Sequence, residues 1–154
     1  MSNKITKSVE ISAPLSRVWQ ALTDHEQFGE WFCVKVEEPF VKGQVAKGKL
    51  TYPGYENLSW NVMVQEINPQ SLFSFTWHPY AVDPNIDYSS ETPTLVEFFL
   101  EESGATTKVT VTESGFEKIP EHRRAEAFKM NTGGWEEQVN NIKDYVCDHE
   151  AVSK

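Results

Sequence analysis

A chain of 154 residues holds one domain of ordinary size around a single core, and residues 1–154 are read here as that domain. A formal net charge of −9 and an isoelectric point near 4.9 set the protein against nucleic-acid backbones and anionic membrane surfaces, which excludes both as expected partners. The segment Met1 to Lys7 is polar and no later stretch approaches the ~20 apolar residues of a membrane span, so a cytoplasmic protein is expected.

Ile5 to Ile11 alternates, with Ile5, Lys7, Val9 and Ile11 on one side, as a half-buried strand does. Pro14 then stands where a first helical turn tolerates it, and Leu15, Val18, Trp19 and Leu22 follow at helical spacing. Asp24 is placed to cap a second short helix in which Phe28, Trp31 and Phe32 share a face, although Gly29 weakens that helix on its own. Cys33 follows. With Cys147 it makes up the whole cysteine content, and neither has a metal-ligand partner nearby in sequence, so both are read as free thiols.

From Val34 to Thr112 the pattern is one of strands, broken by Pro39, Gly43, Pro53-Gly54, Asn68-Pro69, Pro79 and Gly104. Trp60, Val62 and Val64 share one face of Ser59 to Ile67, and Phe73, Phe75 and Trp77 share one face of Leu72 to Trp77. Val96, Phe98 and Leu100 belong on the same inner side as Val109 and Val111. That inner row ends at Glu113. The side chain either points inward, where desolvation penalises its charge unless donors meet it, or lies past the end of the strand in water. The connection from Pro79 to Pro93 is longer than a hairpin needs, which suits a lid over a site or a plain solvated insertion.

After Ser114-Gly115-Phe116, Pro120 opens a long helical pattern from Glu121 to Cys147, and the tail from Asp148 is expected to fray. Phe128, Thr132, Trp135, Val139, Ile142 and Val146 form its apolar stripe. Gly133 and Gly134 interrupt it at a cost of about 1 kcal/mol each relative to alanine. Either the missing side chains open a cavity, or they let the helix approach a sheet closely around Trp135; the cavity is the favoured reading.

Chemistry-bearing motifs are scarce. His25, His78, His122 and His149 stand in separate elements without a partner at helical spacing, so no metal site is expected. No glycine-rich phosphate loop and no nucleophile elbow occurs, which leaves no cofactor and no covalent nucleophile to assign. Nine Phe, five Trp and five Tyr are a large aromatic load for this length, suited to filling a core or lining a pocket.

Four motifs in order resemble a known superfamily: Val18-Trp19-Gln20-Ala21-Leu22-Thr23-Asp24 followed by Phe28 and Trp31; Asn68-Pro69 leading into Leu72-Phe73-Ser74-Phe75-Thr76-Trp77; Ser114-Gly115-Phe116; and Gly133-Gly134-Trp135. They resemble the START-like, birch-pollen-allergen-like proteins of the SRPBCC superfamily, and within it the branch named for the C-terminal domain of the activator of the heat-shock-protein-90 ATPase. The resemblance implies an α+β helix-grip fold. A curved antiparallel sheet of about six or seven strands would wrap around the long C-terminal helix, with two short helices after the first strand. It also implies a small apolar or amphipathic ligand held between sheet and helix, and in some members cyclase- or dehydratase-like catalysis of polyketide-like substrates. The branch name adds help to a chaperone as an alternative.

The residues expected to line such a cavity are Phe28, Trp31, Phe32, Phe75, Trp77, Phe98, Met130, Gly134 and Trp135, with ordinary core packing as the competing role for the aromatic ones. Asn131, Thr132 and Glu113 are the polar groups nearby. Glu113 is the single weak candidate for a general acid or base in an enzymatic reading. Exposed sheet edges allow a homodimer.

Overall fold

The computed structural model describes residues 4–56, 58–79, 87, 88 and 90–152, with side chains to Cys147. It shows strand β1 (Lys4–Ile11), helices α1 (Leu15–Thr23) and α2 (His25–Phe32), and strands β2 (Val34–Val36), β3 (Val45–Leu50), β4 (Ser59–Asn68), β5 (Leu72–Trp77), β6 (Thr94–Ser103) and β7 (Thr106–Ser114). A single 3-10 turn (Phe116–Lys118) leads into helix α3 (Glu121–Val152). The seven strands form one antiparallel sheet in the order β1-β7-β6-β5-β4-β3-β2. This is the α+β helix-grip arrangement.

The two edge strands are the first two in sequence, and α1 and α2 bridge them. Asp24 makes the corner between these helices: its N–H closes α1 on the Gln20 carbonyl, and its carboxylate accepts from the N–H of Glu26 at the start of α2. Trp31 of α2 reaches back, its Nε1–H donating 2.9 Å to the Ala21 carbonyl, one of the acceptors that the end of α1 leaves open. The predicted weakness at Gly29 has a compensating role. A Cβ there would lie 2.2 Å from the Val34 carbonyl oxygen, so only glycine lets α2 lie against β2. Cys33 ends α2 in the left-handed region, with φ of 66°.

The alternation predicted for the strands is observed. Trp60, Val62, Val64, Phe73, Phe75, Val96, Phe98, Leu100, Val109 and Val111 are all buried. Helix α3 covers this inner face with Ala127, Trp135, Val139, Ile142 and Val146. It continues to Val152 rather than stopping at Cys147.

Candidate functional site: a buried carboxylate behind an aromatic cleft

Strand β7 stays paired on both sides as far as Ser114: Ile5 of β1 and Val96 of β6 stand opposite Glu113, and Lys4 and Leu95 opposite Ser114. The inward row Val109, Val111, Glu113 therefore keeps its parity to the end. Glu113 is 0 % exposed. Four donors from three other elements converge on it. On Oε2, the Trp77 Nε1–H of β5 donates at 2.7 Å and the Thr94 hydroxyl of β6 at 2.6 Å. On Oε1, the Asn131 amide donates at 2.9 Å and the Trp135 Nε1–H at 2.8 Å, both from α3.

Indole and amide N–H groups can only donate, and a carboxylate offers about four acceptor positions, so donors and acceptors match in number. Burial of a charge is tolerable on those terms. The same saturation bears on catalysis. No exposed surface and no vacant acceptor position is left on Glu113, so it acts on anything outside through the four groups that hold it.

Three of those four groups form part of a surface cleft of about 90 Å³, lined by Phe32, Trp77, Asn131, Gly134, Trp135 and Gln138. Trp77 and Trp135 stack with ring centres 5.6 Å apart, and the ring of Phe32 lies 6.0 Å from each. Gln138 fixes the end of α2, its amide donating to the Phe32 carbonyl, while its own oxygen accepts from Asn141. A Cβ added at Gly133 or Gly134 would meet nothing within 4 Å, so neither glycine is there to let the helix approach the sheet closely. Gly134 faces the cleft.

Of the nine residues predicted to line a cavity, Phe32, Trp77, Gly134 and Trp135 border this cleft. Phe28, Trp31, Phe75 and Phe98 lie deeper, packed against one another and against the cleft walls: Phe28 on Trp31 and Phe32, Phe75 on Trp77, Phe98 on Trp135. Met130 is not among them. It is 42 % exposed, because it shares the outward side of α3 with Gly133 and Glu137, three and seven residues on. Thr132 bonds back to the Phe128 carbonyl within the helix.

The ends of the long connection between β5 and β6 are gripped by Arg123, from the first turn of α3. Its Nε donates to the Glu91 carboxylate at 2.9 Å, its Nη1 to the Pro79 carbonyl at 2.9 Å, and its guanidinium lies 4.8 Å from the Tyr88 ring centre. His78 lies beside this pair. Burial pushes its pKa below the ordinary histidine value, a shift that Arg123 reinforces and that Glu91 and Asp87 oppose. The middle of the connection, residues 80–86 and 89, read from the sequence as either a lid or a plain insertion, lies outside the described residues.

A more open depression of about 390 Å³, lined by Lys4, Pro93, Leu95, Ser114, Gly115, Glu117 and Lys118, has no aromatic wall. Among the described residues no group of three or more His, Cys, Asp or Glu is arranged to hold a metal ion. No helix among them is long and apolar enough to cross a membrane.

Two features of the site escaped the sequence. Thr94 and Gln138 carried no signal, whereas Asn131 and Trp135, four apart on one helix with obligate donors, could have been paired with an inward Glu113.

Solved structures share the fold. A protein from Nitrosomonas europaea superposes with a TM-score of 0.74 at 15 % identity, over 96 % of each chain. The Aha1 dimer from Colwellia psychrerythraea, a solution structure, gives 0.70 at 19 % identity over 95 % of this chain and 96 % of that one. DynU16, from the dynemicin biosynthetic locus, gives 0.70 at 20 % identity over 95 % of this chain, which spans 48 % of that protein. No curated protein is matched significantly. The family model for activator of Hsp90 ATPase homolog 1-like proteins matches residues 12–147, most of the chain from the first helix to the last, and the protein belongs to that family.

Proposed function

We propose that the protein binds a small apolar or amphipathic molecule at the cleft between the end of α2, Trp77 and the middle of α3, without a catalytic constellation of its own. The observation that carries this reading is Gly134. It sits in the middle of a 32-residue helix, where glycine is unfavourable, with no neighbour that demands it, and its missing side chain leaves open space in the cleft that Trp77 and Trp135 also line. The cleft of about 90 Å³ is smaller than the ~150 Å³ that accepts a benzene ring and the ~300 Å³ of a drug-sized pocket. It therefore takes one end of a ligand.

Titration with flavonoids, fatty acids and polyketide-like aromatics, followed by tryptophan fluorescence, tests this directly, since Trp77 and Trp135 form the walls. Saturable quenching by any of them, lost in Gly134→Leu, supports the reading. A flat response to all of them overturns it.

The family description supports a second reading, stimulation of the heat-shock-protein-90 ATPase. An ATPase assay with purified chaperone decides it, and no change in turnover ends it. The solution dimer of the Colwellia relative supports a homodimer through a sheet edge, β1 or β2, which sedimentation checks. The free thiols Cys33 and Cys147 support a cytoplasmic setting.

A further inference from the structure

The cleft carries an electrical sign. Glu113 lies one hydrogen bond behind it, held by Trp77, Asn131 and Trp135, and is fully buried. Among the described residues the donors seen on Glu113 are all neutral, and the ion pairs Lys7–Glu136, His25–Asp24, Lys42–Glu66 and Arg123–Glu91 do not include it. Arg123 is already matched by Glu91. Neutral donors stabilise a carboxylate without cancelling its charge, and the low-dielectric interior screens that charge poorly.

The aromatic walls act in the same direction. A ring face is negative, and an indole whose N–H donates to an anion is pushed to a higher electron density over its face. Both Trp77 and Trp135 are in that state. The polar lining carries no net charge, and the amide groups of Asn131 and Gln138 each spend one N–H on a protein oxygen, Glu113 and the Phe32 carbonyl.

We propose that the cleft selects positively charged amphiphiles, an alkyl or aryl ammonium, and discriminates against carboxylates of the same shape. This rests on the cleft being the ligand site. The ammonium group gains from the buried charge behind the cleft and from the aromatic rings that wall it. A carboxylate meets both as repulsion.

The test uses decyltrimethylammonium, decanol and decanoate below their micellar concentrations, followed by tryptophan fluorescence and calorimetry. The ammonium should bind at least about ten-fold more tightly than the carboxylate, with the alcohol between them. The preference should persist at about 0.5 M salt, where the Debye length is about 4 Å and the surface charge is screened. It should shrink several-fold in Glu113→Gln, and Gly134→Leu should abolish binding of the ammonium.

Equal affinities for all three probes would overturn the selectivity and leave the cleft as a ligand site. Tighter binding of decanoate would do the same. A preference that vanishes with salt would assign it to the acidic surface, one that survives unchanged in Glu113→Gln would assign it to the aromatic rings alone, and either would overturn the proposal. Absence of binding by all three removes the ligand site and the selectivity together.

Discussion

Trp77 and Trp135 come from opposite layers of the molecule, one from the sheet and one from the long helix, and donate to opposite oxygens of the same carboxylate. Their rings stack at 5.6 Å, so the helix is fastened to the sheet both by dispersion and by a shared charge. Removal of that charge leaves buried donors without acceptors. Glu113→Ala is expected to cost about 3–5 kcal/mol, Glu113→Gln about 2–3, and Thr94→Val, which removes one donor, about 1. Urea denaturation of the three variants checks the order.

The glycines separate by what surrounds them. Gly29→Ala forces a Cβ to within 2.2 Å of the Val34 carbonyl, a backbone atom that cannot swing aside. A loss of about 3 kcal/mol or more is expected. Gly133→Ala and Gly134→Ala meet open space and should each stabilise by about 0.5–1 kcal/mol. Thermal unfolding of the three variants should show opposite signs.

Two tryptophans buried to a similar degree should respond differently to loss of their N–H. Trp31 donates to the Ala21 carbonyl, whereas no acceptor among the described residues reaches the buried Nε1 of Trp60. Trp31→Phe forfeits a hydrogen bond and leaves a helix-terminal carbonyl bare. Trp60→Phe removes an unsatisfied donor. The first should be the more destabilising by about 1–2 kcal/mol in chemical denaturation.

His78 makes stability depend on pH in a defined window. Its folded pKa lies below the ordinary value of 6.5, chiefly through burial. Above 6.5 both states are neutral and the contribution is fully present. As pH falls from 6.5 toward the lower folded value, the unfolded chain takes up a proton that the folded one refuses, and stability declines. Urea midpoints at several pH values should show this decline in the natural protein and a shallower one in His78→Gln.

The sheet was legible because a period of two assigns every side chain to a face, and the rows through Phe75, Phe98 and Val111 left no competing phase. Glu113 was legible only as an alternative. Whether it faced inward depended on β7 staying paired as far as Ser114, opposite Leu95 on one side and Lys4 on the other, and no local pattern shows how far a strand remains paired. Met130 stood outside the apolar stripe that runs through Phe128, Trp135 and Val139, and the structure places it on the outward side of the helix. Gly29 read as a weakness, since its reason is a carbonyl in the next strand. The Arg123–Glu91 pair joins a helix to a connection 32 residues earlier, beyond any local spacing rule.

The pairing of the first strand with the last one also governs how the fold can be reached. During synthesis β1 emerges first, carrying Ile5, Val9 and Ile11, and finds its neighbour only after β7 is made. Closure over such a separation makes folding slow, and it leaves an apolar strand unpaired for an interval in which it can associate with other chains. Lys4, Lys7 and Glu10 interrupt that strand with charge. Their value lies in the nascent chain as well as in the finished sheet, where the same charges guard an edge.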